Sequence, residues 1–232
     1  MLQTSHINDL INLLYPKECL GCQQPLLTGE ELICTGCMTA LPRTNFHRHA
    51  DNEVSRNFTG RCRLEKATSY LYFAKTGLVQ RLMHAFKYKG QAAIGSLMGR
   101  IMGRDLWRAG FLSGIDFLIP VPLHEQKIAS RGYNQSEILA QGVSERSGIP
   151  VMTHNLVRQS FSETQTRKSR FARWQNVEHI FALQKPEEVE NAHLMLVDDV
   201  ITTGSTIEAR ATQLEAVTGT RVSLLTLAVA KN

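Results

Sequence analysis

Two adjacent acids followed by a hydroxyl-rich turn are the residues of this chain best suited to bind a ligand. Asp198 and Asp199 follow the mostly apolar residues 193–197, which suit a buried parallel strand, and open α/β sheets bind ligands at the carboxyl ends of such strands. The turn 202–206, Thr-Thr-Gly-Ser-Thr, precedes residues 207–217, whose apolar spacing predicts a helix. A phosphate in this turn would meet unpaired amides and the positive end of the helix dipole. Because carboxylates can bind ribose hydroxyls directly or through Mg2+, the combination indicates a phosphorylated sugar.

The order of strand, acid pair, turn and helix resembles the phosphoribosyl-pyrophosphate (PRPP) motif of type I phosphoribosyltransferases. The alternative is an acidic strand end followed by an ordinary Ser/Thr helix cap, which a lone Asp-Asp pair would favour. The complete order favours PRPP binding. The residues that this resemblance assigns to PRPP are Val197, Asp198, Asp199, Thr202, Thr203, Gly204, Ser205 and Thr206.

Length and composition are typical of a folded, soluble protein. The 232 residues, 43% of them apolar, fit one large domain or a domain of about 150 residues with a smaller appendage. No apolar run of about 18 or more residues occurs, so a membrane-spanning segment is not expected. The first residues lack the basic start and cleavage site of a signal peptide, and we therefore expect a cytoplasmic location with free thiols.

The net charge of +5 is unevenly distributed along the chain. Residues 67–185 carry 16 basic and 7 acidic side chains, whereas residues 1–66 carry 7 of each sign. This positive middle segment suits a polyanionic ligand, either a pyrophosphate-bearing sugar or a nucleic acid backbone. Charge alone does not choose between these two ligands.

Two Cys-x-x-Cys pairs, separated by eleven residues, predict a small zinc ribbon near the N-terminus. Thiolates of Cys19, Cys22, Cys34 and Cys37 can converge tetrahedrally on one Zn2+, and four such ligands leave no open position for catalysis. Disulfides are disfavoured in a cytosolic chain, and a thioredoxin-like pair is disfavoured because neither motif follows a strand in a βαβ pattern. Cys62 is predicted to be a bystander thiol.

From residue 67 onward strands alternate with helices, which predicts a mostly parallel α/β sheet flanked by helices. We predict a domain boundary near residue 66, with an N-terminal helix, the zinc ribbon and a linker in 1–66 and a phosphoribosyltransferase-like domain in 67–232. The predicted strands are 67–73, 117–119, 149–153, 193–197 and 221–230, and the predicted helices are 77–90, 91–107, 135–143 and 207–217.

Two basic segments are predicted to contact pyrophosphate. An irregular loop after the strand 117–119 carries Lys127 and Arg131 near the strand's carboxyl end, although both side chains could equally face solvent. Residues 154–176 are polar and basic, and so long a loop in a compact domain is usually a lid or is disordered. A cationic lid can close over developing negative charge and exclude water.

Several segments together resemble the ComF family. They are RGYNQ at 131–135, TQTRKSR at 164–170, WQNV at 174–177 and VDDVITTGST at 197–206, and the double Cys-x-x-Cys pattern precedes them. The resemblance covers nearly the whole chain from Cys19. ComF-like proteins pair a zinc-binding ribbon with a type I phosphoribosyltransferase domain, and they are associated with natural competence, in which they help take up single-stranded DNA into the cytoplasm.

The resemblance implies roles for individual residues. Asp198 and Asp199 would face the ribose of PRPP and would be the catalytic residues if the protein turns over. Thr202 stands where 6-oxopurine transferases carry an Asp that acts on the base, so purine salvage loses support. The residues implied for the pyrophosphate loop are Val121, Pro122 and Leu123, and those implied for the lid are Gln165, Thr166 and Arg167.

Three functions stay open from the sequence. The first is a competence-type DNA-uptake factor that binds PRPP or a related phosphosugar with Mg2+, and whose partners include single-stranded DNA and a competence helicase or channel protein. The second is an active phosphoribosyltransferase of nucleotide metabolism that transfers phosphoribose from PRPP to a nitrogenous acceptor. The third is a non-catalytic regulatory or scaffold protein.

Overall fold

The computed structural model describes residues 16–158 and 181–230. The strands are β1 (Ala67–Phe73), β2 (Phe117–Pro120), β3 (Leu156–Arg158), β4 (Phe181–Leu183), β5 (His193–Ile201) and β6 (Arg221–Ala230). The helices are α1 (Thr35–Thr39), α2 (Glu53–Phe58), α3 (Leu78–Tyr88), α4 (Ala92–Arg108), α5 (Glu125–Arg131), α6 (Gln135–Ser147) and α7 (Ser205–Glu215), with short 3-10 helices at Phe46–Arg48 and Pro186–Glu188.

The centre of the fold is a parallel sheet with the strand order β1-β6-β5-β2. The paired residues of β5 and β6 run in register from His193 opposite Arg221 to Ile201 opposite Val229. Both strands are almost entirely buried, which is why their sequences are nearly continuous apolar runs. Since all four strands run in the same direction, their carboxyl ends meet at one edge of the sheet.

Close packing of α4 against α6 sets the position of the second helix. A Cβ on Gly99 would lie 2.5 Å from the Leu139 carbonyl oxygen, and a Cβ on Gly142 would lie 2.8 Å from the Ser96 carbonyl oxygen. Only glycine therefore permits the two backbones to approach this closely. The approach places the start of α6 beside the carboxyl end of β5.

The four-cysteine unit packs onto the edge of this domain rather than standing apart from it. Its residues Cys19, Ile33 and Leu41 are buried in the same apolar cluster as Tyr70 of β1 and Leu82 of α3. The unit therefore shares its core with the sheet and with the helix that follows β1.

The predicted fold class, a mostly parallel sheet flanked by helices with a small N-terminal four-cysteine unit, is confirmed. The predicted strand 149–153 is shorter than expected, since only Val151 pairs, in a parallel bridge with Leu118. Pro150 lacks the amide hydrogen that a longer ladder would need. Across the part of the chain that the structure describes, no helix is both long enough and apolar enough to span a bilayer.

The segment after β2 also differs from the prediction, because the expected irregular loop contains the helix α5. The His124 ring accepts a hydrogen bond from the Gln126 amide and so caps the start of this helix. Gly132, with a φ of 83°, ends it. The predicted loop therefore consists of a short irregular segment directly after β2, followed by the helix α5.

Candidate functional site

The acid pair lies at the carboxyl end of β5, and its two carboxylates have different partners. Asp198 Oδ1 accepts hydrogen bonds from Ser136 Oγ at 2.9 Å and from the Asp199 amide at 2.8 Å. Asp199 Oδ2 lies 2.8 Å from Lys87 Nζ at the end of α3. Asp198 is thus hydrogen-bonded to Ser136 of α6 and to the backbone, whereas Asp199 forms an ion pair with Lys87.

The protonation of Asp198 is shifted by its surroundings. Burial, and next the negative charge of Asp199, raise the pKa of Asp198 from 3.8 to about 6, against the opposing effect of its hydrogen bonds and of Arg210. Carboxyls whose pKa is strongly raised by burial and by a neighbouring charge are concentrated at functional sites, which makes Asp198 a candidate functional residue.

Replacing Asp198 with asparagine should stabilise the fold at neutral pH. A carboxyl with a raised folded-state pKa leaves stability complete below about pH 4 and lowers it as the pH rises through about 6. Asparagine retains the side-chain oxygen that accepts from Ser136 and from the Asp199 amide, so we expect a gain of about 2 kcal/mol near pH 7.5 and no gain near pH 4. Urea unfolding at both pH values measures this, and an equal free-energy difference at the two would contradict it.

The hydroxyl-rich turn forms the start of α7. Gly204 has a φ of 77°, and within the described residues no side chain caps the N-terminus of this helix. Thr203 Oγ1 and Ser205 Oγ lie 3.0 Å apart, and the threonines on either side, Thr202 and Thr206, are exposed as well. The amides of the first turn of α7 therefore lie among exposed hydroxyls, an arrangement that suits a phosphate group.

Two residues that precede β1 support this turn, and neither was predicted from the sequence. Arg61 donates to the Thr203 carbonyl oxygen at 3.0 Å and forms an ion pair of 2.6 Å with Glu208. A Cβ on Gly204 would lie 2.8 Å from the Phe58 ring, so this ring closes the space behind the glycine. No spacing pattern could reveal the contact between Arg61 and Thr203, because the two are separated by 142 positions.

The structure places the predicted pyrophosphate loop, residues 121–123, directly beside the acids. The Val121 amide donates to the Val197 carbonyl oxygen at 2.9 Å, and Asn134 Nδ2 donates to the Val121 carbonyl oxygen at 3.1 Å. The buried Arg210 also connects this loop to the turn, since it donates to the carbonyl oxygens of Thr206 at 2.5 Å and of Pro122 at 3.4 Å. Leu123 follows within the same loop.

The two predicted cations of this region have unequal positions. Lys127 is exposed on α5. Arg131 is half-buried: its Nη1 donates to Gln135 Oε1 at 2.9 Å, and its guanidinium lies 5.2 Å from the centre of the Tyr88 ring. Arg131 is therefore held beside the ends of α3 and α6, while Lys127 faces solvent.

A groove of about 260 Å3 runs between the pyrophosphate loop and β3. Leu156 and Val157 form one side of it, and Asn134 and Glu137 at the start of α6 form part of another. The predicted lid residues Gln165, Thr166 and Arg167 lie outside the described residues, between β3 and β4 in the sequence.

The four cysteines of the predicted zinc site converge. Their sulfur atoms all lie within 4.8 Å of one another, and those of Cys22 and Cys34 are 3.7 Å apart. Four thiolates around zinc, each at about 2.3 Å, would be separated by about 3.8 Å, so the arrangement fits a tetrahedral metal ion. Burial raises the pKa of Cys19, but amide hydrogen bonds from Cys34, Cys22 and Gly21 outweigh it and lower the pKa to about 6.

Cys62 lies outside this cluster. Burial, with the nearby Glu215 and Glu208, raises the pKa of the Cys62 thiol to about 11. A thiol with so high a pKa is unreactive at neutral pH, which agrees with the expectation of a bystander.

Comparison with curated proteins finds relatives along most of the chain. Competence protein F of Haemophilus influenzae is 30% identical over 199 residues, which cover 82% of this chain and 86% of that protein. The DNA utilization protein YhgH of Escherichia coli O157:H7 is 28% identical over 214 residues, with coverage of 84% and 89%. The competence protein ComFC of Bacillus subtilis is 26% identical over 207 residues, with coverage of 80% and 79%.

No protein-family model matches the chain. Among solved structures, glutamine phosphoribosylpyrophosphate amidotransferase from B. subtilis is similar with a TM-score of 0.44 and 21% identity, over 62% of this chain and 30% of that one. This chain therefore spans less than a third of that amidotransferase. Adenine phosphoribosyltransferase from Leishmania tarentolae is similar with a TM-score of 0.38 and 11% identity, over 77% of this chain and 88% of that one.

Proposed function

Since this chain belongs to the ComF family, we propose that it binds PRPP or a related phosphosugar together with Mg2+ and acts in the uptake or use of single-stranded DNA in the cytoplasm. One observation carries the phosphosugar part of the proposal: the Asp198–Asp199 pair and the uncapped start of α7 lie at the same end of β5. The names of the relatives, which refer to competence and to DNA utilization, support the DNA part.

The two ends of the ligand would be bound by different chemistry. The 5′-phosphate would rest in the turn 202–206, where the amides of Ser205 and Thr206 at the start of α7 and the surrounding hydroxyls would donate hydrogen bonds to it. Asp199, whose carboxylate is paired with Lys87, would bind the ribose hydroxyls or the Mg2+ ion. Asp198 would mainly orient the backbone of this strand end, since its Oδ1 already accepts two hydrogen bonds.

We also propose that the four-cysteine cluster binds a structural Zn2+. The thiolates of Cys19, Cys22, Cys34 and Cys37 would occupy all four tetrahedral positions, which leaves none for a substrate.

At the phosphosugar site, bound Mg2+ would neutralise part of the pyrophosphate charge, and the protein's own contribution there would be to position the sugar.

Calorimetric titration with PRPP and Mg2+ tests the phosphosugar proposal. The unmodified protein should bind, and Asp199→Asn should lower the affinity by about 100-fold or more, because a carboxylate that contacts ribose or metal makes charge-assisted hydrogen bonds. Asp51→Asn is a matched control, since Asp51 is 76% exposed in an ion pair with Arg56 far along the chain from β5. Absence of binding by the unmodified protein, or equal binding by Asp199→Asn, would refute the proposal.

The same titration repeated with short single-stranded DNA tests the DNA part. Affinity should fall with added salt, since each phosphate contact releases counterions. If the protein does not bind single-stranded DNA at low salt, the direct role for DNA is refuted, and the result for the phosphosugar is unaffected.

An active phosphoribosyltransferase is the second candidate, and the groove beside the pyrophosphate loop favours it. This groove, of about 260 Å3, would place an acceptor next to the loop that the leaving pyrophosphate would contact. Release of pyrophosphate from PRPP in the presence of a panel of bases and amines would show turnover. PRPP binding without release with any acceptor would indicate a sensor or scaffold instead.

A further inference from the structure

Lys87 lies at the proposed phosphosugar site although no sequence motif includes it. Its Nζ is 2.8 Å from Asp199 Oδ2, and the two side chains are only 20% and 14% exposed. An ion pair this shielded from water persists only if both charges remain matched, since removing either partner leaves the other buried and uncompensated. A ligand that displaces Lys87 from Asp199 must therefore supply a new anionic partner for Lys87.

The backbone that carries Lys87 is fixed by its neighbours. Phe86 is fully buried, and its ring stacks on Tyr133 with the centroids 5.8 Å apart. At the other end of α3, Arg81 donates to the Gly21 carbonyl oxygen. Lys87 can consequently respond to a ligand only by swinging its own flexible four-carbon side chain.

A second cation lies beside the same helix end. The Arg131 guanidinium stacks on Tyr88, the residue after Lys87, and among residues 16–158 and 181–230 it pairs with no carboxylate. Arg131 also donates to Gln135 at the start of α6, and the preceding residue, Asn134, donates to the Val121 carbonyl oxygen of the predicted pyrophosphate loop. Two cations are thus available to a polyphosphate group, one paired with Asp199 and one stacked on the residue that follows Lys87.

We propose that Lys87 selects the ligand by changing its anionic partner. In the free protein it pairs with Asp199, and on binding it transfers to the pyrophosphate group, which releases Asp199 for the ribose hydroxyls and Mg2+. This inference rests on the proposed phosphosugar function. The exchange couples the binding of the pyrophosphate group to the binding of the metal ion. Pyrophosphate alone would leave Asp199 without a cation, and the metal ion alone would leave Lys87 without an anion.

Ribose 5-phosphate is the informative comparison with PRPP, because it has the same sugar and 5′-phosphate but lacks the pyrophosphate. It would occupy the turn 202–206 and still leave Lys87 without a new anion. A divalent metal ion alone would compete directly with Lys87 for Asp199. Lys87 therefore disfavours both of these partial ligands and favours the complete one.

Calorimetry of Lys87→Met with Mg2+ and PRPP, and separately with ribose 5-phosphate, tests the selection. We expect PRPP affinity to fall by about 30-fold to 100-fold, in line with the loss of a charge-assisted contact, while ribose 5-phosphate affinity is unchanged or higher. Lys89→Met is the control, because Lys89 is exposed two residues further on and its loss changes the net charge equally. Equal loss of affinity for both ligands would overturn the inference and assign Lys87 a merely structural role.

Mn2+ alone, followed by its paramagnetic resonance signal, gives a readout that does not depend on phosphosugar binding. Lys87→Met should bind Mn2+ more tightly than the unmodified protein, since Asp199 then has no competing cation. Unchanged Mn2+ affinity would overturn the inference.

Lys87→Gln, which keeps a hydrogen-bond donor for Asp199, serves the same comparison if the methionine variant unfolds. Failure of the unmodified protein to bind either sugar would refute the proposed function, and the Mn2+ result would still report on Lys87.

Discussion

Replacing Gly204 with alanine should nearly abolish the phosphosugar binding that we propose. Gly204 has a φ of 77°, which an L-residue adopts only with strain, and a Cβ there would lie 2.8 and 2.9 Å from two atoms of the Phe58 ring. Phe58 is only 1% exposed, so its ring has no free space into which it can retreat. The turn itself must move, and the amides at the start of α7 would no longer converge on one phosphate. We expect a loss of about 100-fold or more in PRPP affinity, as several charge-assisted hydrogen bonds weaken together.

Gly148→Ala separates the backbone strain from the steric clash. Gly148 ends α6 with a φ of 75°, and nothing lies within 4 Å of an added Cβ. This variant should lose about 1 kcal/mol of stability, as any left-handed alanine does, and should bind PRPP normally. Calorimetry and urea unfolding of both variants make the comparison. Equal PRPP affinity in the two would show that the turn does not bind the phosphate.

Removing the proposed metal from the four-cysteine cluster should unfold the N-terminal unit and lower the stability of the whole domain. Few residues of this unit are buried, Cys19, Ile33 and Leu41 among them, so metal binding would supply much of its folding free energy. The unit packs on α3, since a Cβ on Gly21 would lie 2.5 Å from Leu78. We expect chelation to lower the melting temperature by about 10 °C, as the loss of several kcal/mol does in a domain of this size.

Elemental analysis and thermal unfolding of two serine variants test this expectation. Cys34→Ser removes one of the four converging sulfurs and should lose both the zinc and the stability. Cys62→Ser, outside the cluster, should keep about one zinc per chain and the original melting temperature. Unmodified protein that is purified without any zinc, or that melts at the same temperature after chelation, would contradict the proposed structural metal.

The parts of the site that were predictable depend on short-range patterns. Asp198 and Asp199 lie within ten residues of the turn 202–206, so strand, acids, turn and helix occur in one readable segment. The two Cys-x-x-Cys pairs are similarly local. The periodicity of apolar residues predicts most strands and helices. The helix α5 lies in a polar segment without such periodicity, and its start is capped by the ring of His124, which is not one of the usual capping residues.

The sequence by itself determined the α/β sheet, the position of the acid pair beside the hydroxyl-rich turn, and the four converging cysteines, because neighbouring residues specify each of them. Only the tertiary structure decided which residues from distant elements complete the site. Lys87 reaches Asp199 from α3, and Arg61 supports Thr203 from the segment before β1. The unequal surroundings of the two acids also depend on packing, since burial and the Ser136 hydroxyl act on Asp198 while Asp199 faces a cation. Contacts of this kind follow from how helices cross the sheet, and no local spacing of residue types encodes them.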